Sequence, residues 1–299
     1  MIEQEKMLDK KINTYRAAIN EKFPQLVVKS FDYLSEGWDS VVCRVNGELI
    51  FRFPKRAAVE GQMLVEMRLL PHLALPLPIP QPSYLAETGG KVFPFAFAGY
   101  PMLPGIPLED CSEEVQQAEW WQMALAEFLT ALHAFPVAKA YTLGVQNFSF
   151  IEAEEPSENW REGLENLYRE TRAEVFPLLP DEQQDTIADQ FEAFLDEDRF
   201  FEFEPVVIHG DLTQEHLLLD PETQRITGII DFGKVGIGDP AYEVWESLLP
   251  YYRGKIDPTW QERHQFYSRL QPLYPIIFGN QQGDSALIEY GLNLCRRDF

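Results

Sequence analysis

Two short apolar runs that each stop at a carboxylate constrain this chain more than any other feature. Val206-Val207-Ile208 leads into His209-Gly210-Asp211, with His216 five residues further on, and Ile229-Ile230 leads into Asp231-Phe232-Gly233. Short apolar runs bounded by polar and glycine clusters read as buried strands. Asp211, His216 and Asp231 are therefore expected at the mouths of neighbouring strands, on a small β platform made of 206–208, 217–219 and 226–230.

Carboxylates in that setting suit phosphoryl transfer. The reaction needs positioned metal ions, neutralised phosphate charge and an oriented acceptor oxygen, and little covalent help from protein. Asp211, on the loop after the first run, is the expected catalytic residue, accepting or orienting the proton of an acceptor hydroxyl. His209 beside it reads as a scaffold residue of the catalytic loop. Asp231 is placed to bridge Mg²⁺ to phosphates. His216 is expected on the metal side too, although Mg²⁺ prefers oxygen ligands, so it would bind less directly or touch phosphate. Asp239-Pro240 reads as the cap of a helix beginning near Ala241.

Arg52 lies between Phe51 and Phe53 in an alternating strand, which puts it on the face opposite both rings. A lone cation there invites a phosphate. Glu66, fourteen residues on in a helical segment, could hold it by a bidentate pair. Ser35-Glu36-Gly37-Trp38-Asp39-Ser40 fills the preceding turn, so Ser35, Gly37 and Ser40 are candidates for the phosphates, although a single glycine makes a poor cradle.

Around these residues the pattern divides the chain. An opening helix is expected over 3–22, then strands over 26–33, 40–45 and 49–53, the last two joined at Asn46-Gly47, a strong hairpin signal. A helix from Val59 carries Met63, Met67 and Leu70 on one face and ends near Pro71. Leu75 to Pro82 alternates with proline and must be extended, and strands follow over 84–86 and 92–97. Helices are expected over 113–135, 158–176, 181–198, 240–253, 259–272 and 284–297. Two lobes follow from this reading: a five-stranded sheet with one or two helices, then a helical half.

Charge and composition narrow the partners. Residues 1–100 hold 12 Lys/Arg against 11 Asp/Glu, while the other 199 residues hold 13 against 37. Residues 151–204 alone carry 18 acids and 4 arginines. That field excludes nucleic acid as a partner and attracts cations. It reads either as an electrostatic funnel for a polycationic small molecule or as the solvated faces of surface helices. The amino terminus carries Glu3, Glu5, Lys6 and Asp9 in place of an apolar leader, and the longest apolar run, Val92 to Leu103, is broken by Pro94, Gly99 and Pro101. The expectation is a cytoplasmic protein, monomeric and without membrane contact. Cys43, Cys111 and Cys295 are too scattered for a disulfide framework or a zinc site.

His209-Gly210-Asp211 with His216, Ile230-Asp231-Phe232-Gly233 and Asp239-Pro240 together resemble the aminoglycoside phosphotransferase family, almost end to end. The resemblance implies an α+β, bilobal protein-kinase-like fold: an antiparallel-sheet nucleotide lobe over 1–99, a hinge over 100–105 and a mainly helical lobe over 106–299 carrying the catalytic and acceptor sites. It implies Asp211 as catalytic residue, Arg52 and Glu66 as the nucleotide clamp, His216 and Asp231 on the metal side, and a linker over Phe97–Leu103 whose backbone at Tyr100 and Met102 reads the purine. Leu49–Lys55, Leu75–Pro82, Pro94–Leu108 and the histidine at 216 look most like the 2″-phosphotransferases, with macrolide phosphotransferases next. Both imply GTP or ATP as donor with Mg²⁺, and antibiotic resistance as the outcome. Three departures stand out: Arg52 where the family commonly has Lys, few glycines at Ser35–Ser40, and Leu287-Ile288 where the 2″ enzymes place aromatic residues beside their antibiotic. Glu243, Glu246, Tyr251 and Tyr252 are the acceptor-binding candidates. A macrolide or metabolite kinase and a nucleotide-binding pseudokinase are the alternatives.

Overall fold

A computed structural model describes residues 2–151 and 156–299, with the backbone alone over residues 2–9. Glu152, Glu154 and Glu155 of the acidic stretch, and the side chains of Glu3, Glu5, Lys6 and Asp9, lie outside what is described. The chain divides into two compact units. The first comprises Met1–Leu132, Ala138–Val145 and Asp211–Val235; the second comprises His133–Val137, Gln146–Gly210 and Gly236–Phe299.

The first unit is built on a five-stranded antiparallel sheet in the order β1-β2-β3-β5-β4. Its strands are β1 (Phe31–Glu36), β2 (Ser40–Val45), β3 (Leu49–Pro54), β4 (Tyr84–Ala86) and β5 (Phe97–Pro101). The β2–β3 turn is Asn46-Gly47, with φ of 56° and 77°. Both residues are left-handed, which matches the strand twist and which asparagine and glycine tolerate best. Helix α1 (Ile2–Lys22) covers one face: its Ala18 and Ile19, with Phe23 just beyond its end, pack with Val41, Cys43, Phe51, Phe53 and Phe97. Phe53 stacks on Phe97 at 4.5 Å between centroids. Helix α2 (Ala57–Leu69) buries Val59, Met63, Glu66 and Met67 and runs into a 3₁₀ turn, Leu70–His72. With both faces covered, β3 is buried from Ile50 to Pro54, and period-two alternation still sorts its side chains.

Two strand expectations shift. The first strand starts at Phe31 and not at 26, and the last begins at Phe97 and not at 92. Pro94 cannot donate to a ladder, and the Glu60 carboxylate takes the Ala96 N–H at 2.5 Å, so pairing starts only beyond them. Phe97–Pro101, which the family resemblance marks as linker, is thereby a sheet strand. The unit's second sheet orders β6 (Ile106–Pro107), β8 (Leu217–Asp220) and β9 (Arg225–Ile229). Helix Glu119–His133 begins in this unit, and a four-residue helix, Glu113–Gln116, precedes it, so the single helix expected over 113–135 is two.

The expected platform divides as well. Strand β7 (Val206–Ile208) does not join β8 and β9; it pairs antiparallel with β10 (Gly236–Gly238), too short and glycine-rich to be read from the sequence. That pair belongs to the second unit, which is otherwise helical: Trp160–Glu170, Asp181–Leu195, Trp260–Leu270, Leu273–Gln282 and Ser285–Asp298. Its core stacks Phe194 on Phe266 at 3.8 Å and sets Trp160 Nε1–H on the Tyr267 hydroxyl at 2.9 Å. The helix expected over 240–253 is absent. The segment makes two 3₁₀ turns, Pro240–Tyr242 and Glu246–Leu248, because Trp245 is extended and Pro250 could not continue a helix. The helix Leu273–Gln282 had no expectation. Pro275 sits in its first turn, where the missing N–H costs nothing. Cys43, Cys111 and Cys295 are free and buried, as expected.

Candidate active site

Arg52, on β3, points away from the Phe51–Phe53 face toward α2. Its Nη1 donates to both Glu66 oxygens, at 2.9 and 3.0 Å, and its Nη2 donates to Asp231 Oδ1 at 2.8 Å. The Arg52 and Glu66 side chains are 8% and 0% exposed, whereas Asp231 keeps 42% of its side-chain surface open. Tyr100, two positions away across the β3–β5 pairing, adds its hydroxyl to the guanidinium. Burial works against the charge on Arg52, but Asp231 and then Glu66 outweigh it and hold the group firmly protonated. Burial likewise pushes the Glu66 carboxyl up, while Arg52 and the Phe232 N–H pull it back.

Asp231 itself is left-handed, at φ 64° and ψ 65°, and its side chain accepts from Gly233 N–H at 3.4 Å. Few residues other than glycine take that conformation. Aspartate is one that does, because its short side chain bonds locally, and such outliers gather at functional sites.

The peptide entering Asp211 reverses at Gly210, whose φ of 82° only glycine takes without strain. The Asp211 carboxyl is pushed up to about 6, chiefly by burial, with Asp231 and Glu215 adding to the push and His216 and Lys234 opposing it. Water at the open 45% of the side-chain surface moderates that push. His216 Nδ1 lies 2.6 Å from the Asp211 carbonyl. A carbonyl can only accept, so Nδ1 carries a proton. Ile230 N–H donates to the His216 carbonyl at 3.0 Å, tying the two motif segments together. His209 is fully buried.

Not every candidate falls where the sequence placed it. In the β1–β2 turn Gly37 N–H donates to the Ser40 carbonyl at 3.0 Å. Ser35 is exposed, and Ser40 is 7% exposed with its hydroxyl lacking a hydrogen-bond partner among the described residues. The Met102 N–H is spent on the Glu48 carbonyl at 2.8 Å, so it cannot read a base in this arrangement. Of the acceptor candidates, Glu246 is exposed and Tyr251 half-buried, but Glu243 and Tyr252 are each 3% exposed, with their polar atoms bonded inside the second unit. Those two cannot touch an acceptor. Asp239 does cap its turn, through Ala241 N–H at 2.9 Å, and also receives Arg263 and Tyr267. Ile288 lies against Gly279 where two helices meet, which gives that aliphatic residue a packing role.

The sequence reading missed a ring of cations on the same unit. Asp39 receives Arg56 at 2.8 Å and Lys234 at 3.7 Å, and Lys55 reaches the Gly37 carbonyl at 3.2 Å. A signal existed: Lys55-Arg56 follows the Arg52 strand, and Lys234 follows Asp-Phe-Gly directly.

Among the described residues no group of three or more His, Cys, Asp or Glu side chains forms a metal cage. Mg²⁺ is commonly held by one or two carboxylates with substrate phosphates completing its shell, and Asp231 with His216 and Asp211 nearby fits that sparse donor set.

Comparison with known proteins decides the family. The profile described as the phosphotransferase enzyme family matches residues 31–275. The chain belongs to that family. It is 36% identical to an aminoglycoside 3′-phosphotransferase of Streptomyces fradiae over 116 residues, 39% of each chain. It is 28% identical to the viomycin phosphotransferase of Streptomyces vinaceus, over 72% of this chain and 68% of the other. Among solved structures, the GDP and kanamycin complex of APH(2″)-IIIa superposes with a TM-score of 0.82 at 26% identity, covering 95% of this chain and 97% of that one. A macrolide 2′-phosphotransferase type I shares the fold, with a TM-score of 0.70 at 21% identity. This phosphotransferase thus has the kinase-like α+β fold expected from its motifs.

Proposed function

We propose that the protein transfers the terminal phosphoryl group of GTP or ATP, with Mg²⁺, to a hydroxyl of a cationic small molecule, an aminoglycoside 2″-hydroxyl being the first candidate. The observation that carries this reading is Arg52, a buried cation held by Glu66 and in contact with the Asp231 carboxylate. A guanidinium fixed in that way is preorganised for phosphate oxygens and loses little freedom on binding them.

The chain's own residues divide the work. Arg52 orients the phosphates, with Arg56, Lys55 and Lys234 adding positive charge at the β1–β2 turn. Asp211 accepts or orients the acceptor's hydroxyl proton, a task suited to a carboxyl raised toward neutral pH. Asp231 and His216 would hold Mg²⁺ together with the nucleotide, and the ion would supply charge neutralisation at the phosphates. A cationic acceptor agrees with the acidic 151–204 segment, whose helix Asp181–Leu195 exposes Asp181, Glu182, Asp185, Asp189 and Glu192. The aminoglycoside choice draws support from the likeness to the kanamycin complex.

The test is incubation of purified protein with Mg²⁺, GTP or ATP and a pooled panel of aminoglycosides and macrolides, followed by mass spectrometry. A single added phosphate on an aminoglycoside supports the reading. Phosphate on a macrolide alone would replace the acceptor, and the absence of nucleotide turnover of any kind would overturn the reaction.

A further inference from the structure

Three buried side chains of the second unit form a line that ends on the peptide entering Asp211. The Tyr252 hydroxyl lies 2.6 Å from His133 Nδ1, His133 Nε2 lies 2.7 Å from Glu243 Oε1, and Gly210 N–H donates to Glu243 Oε2 at 3.0 Å. Tyr252 and Glu243 are each 3% exposed and His133 is 8% exposed. The direction of the bond to Glu243 follows from its chemistry. A carboxylate can only accept, so His133 Nε2 carries a proton and gives it to Glu243. Nδ1 meets the Tyr252 hydroxyl. Burial, with Glu243 and Asp239 adding to it, raises the Tyr252 phenol and keeps its hydroxyl protonated.

We propose that Tyr252 is a positioning residue for phosphoryl transfer, acting through His133 and Glu243 on the Gly210 peptide that leads into Asp211. The proposal rests on the function proposed above. Gly210, at φ 82°, lies outside any helix or strand, so its N–H depends on Glu243 for a partner. Without the Tyr252 hydroxyl the imidazole loses its anchor at Nδ1 and is held by Glu243 alone, so the ring and the carboxylate can turn together. The Gly210 N–H then loses its fixed acceptor. Gly254 supports the arrangement sterically, because a methyl group at that position would overlap the Tyr252 hydroxyl and ring.

The test compares wild type with Tyr252→Phe, Gly254→Ala and the double variant, each checked for folding by circular dichroism. Amide exchange at Gly210 is followed by NMR, and GTP and ATP turnover with Mg²⁺ is measured with water as the acceptor. Tyr252→Phe is expected to speed Gly210 exchange and lower kcat, each by about tenfold, leaving the nucleotide KM unchanged. Gly254→Ala keeps every hydrogen-bonding group and is expected to act in the same direction, so it serves if Tyr252→Phe folds poorly. The double variant should be no worse than the stronger single. Unchanged Gly210 exchange in both single variants, or a fall in kcat matched by a general loss of amide protection, overturns the proposal. A wild type with no nucleotide turnover sinks the proposed function on its own account, and the Gly210 exchange still decides whether Tyr252 controls that peptide.

Discussion

Asp231 Oδ1 takes Nη2 of Arg52 at 2.8 Å, across 179 residues of chain. The buried cation of β3 and the carboxylate of Asp231-Phe232-Gly233 are thus in direct contact, with Glu66 holding the cation from behind. On the proposed function Arg52 acts before chemistry, so Arg52→Ala is expected to raise the nucleotide KM about tenfold or more with a smaller change in kcat. Asp211→Ala is expected to lower kcat by at least about a hundredfold. Steady-state kinetics against GTP and ATP separates the two, and equal effects on kcat would contradict this division.

Glu66 is fully buried, and its partner cannot lose its proton. Glu66→Ala therefore leaves the buried cation with the half-open Asp231 as its charged partner, and the expected loss is about 3 kcal/mol of stability. Urea unfolding checks this. A loss below about 1 kcal/mol would mean that Asp231 alone compensates Arg52.

The raised Asp211 carboxyl predicts two opposite pH trends. For activity, kcat/KM should fall as pH drops through about 6, because the protonated acid cannot accept a hydroxyl proton. For stability, a carboxyl whose pKa is higher folded than unfolded burdens the folded state above about 6, and the burden fades as pH falls toward about 4 because the folded state takes the proton first. Asp211→Asn should thus abolish transfer and raise Tm at pH 8, with the gain gone near pH 4. A Tm gain independent of pH would remove this explanation.

Asp231 combines a proposed metal-side task with a left-handed backbone. Asp231→Asn keeps a residue that tolerates the left-handed backbone but leaves Arg52 with Glu66 as its charged partner, so it should lower Tm modestly while lowering activity and weakening its dependence on Mg²⁺. Asp231→Ala should lose activity and a further amount of stability, about 1 kcal/mol, because alanine accepts that conformation poorly. Thermal melts beside Mg²⁺ titrations of turnover distinguish the two variants.

What the sequence disclosed was whatever local periodicity and chemistry determine. Phe51-Arg52-Phe53 announced its two faces, the helix beyond it offered Glu66 in reach, and Asn46-Gly47 marked its hairpin. The apolar runs before Asp211 and Asp231 were legible for the same reason. Their partners were not: β7 pairs with β10, a strand of only three residues beginning and ending in glycine. Glu243 and Tyr252 read as acceptor-binding candidates because sequence shows side-chain chemistry but not the burial that goes with their bonds to His133. The Met102 N–H, part of the backbone expected to read the purine, goes to the Glu48 carbonyl, a pairing set by sheet register. The Asp39 ring with Arg56 and Lys234 escaped because it joins residues nearly two hundred positions apart.

The first unit takes residues 1–132, 138–145 and 211–235, so its last piece is made well after its first. During synthesis, at roughly 5–20 residues per second, the nascent sheet waits several seconds for Asp231 to emerge. Through that interval Arg52 and Glu66 have only each other of the three groups in their ion-pair chain, and β8 and β9, which pair with β6, do not yet exist. The unit cannot be completed in the order in which it leaves the ribosome. A translation arrest placed before residue 211 should release a chain that chaperones retain, whereas one placed after residue 235 frees a chain able to close its first unit.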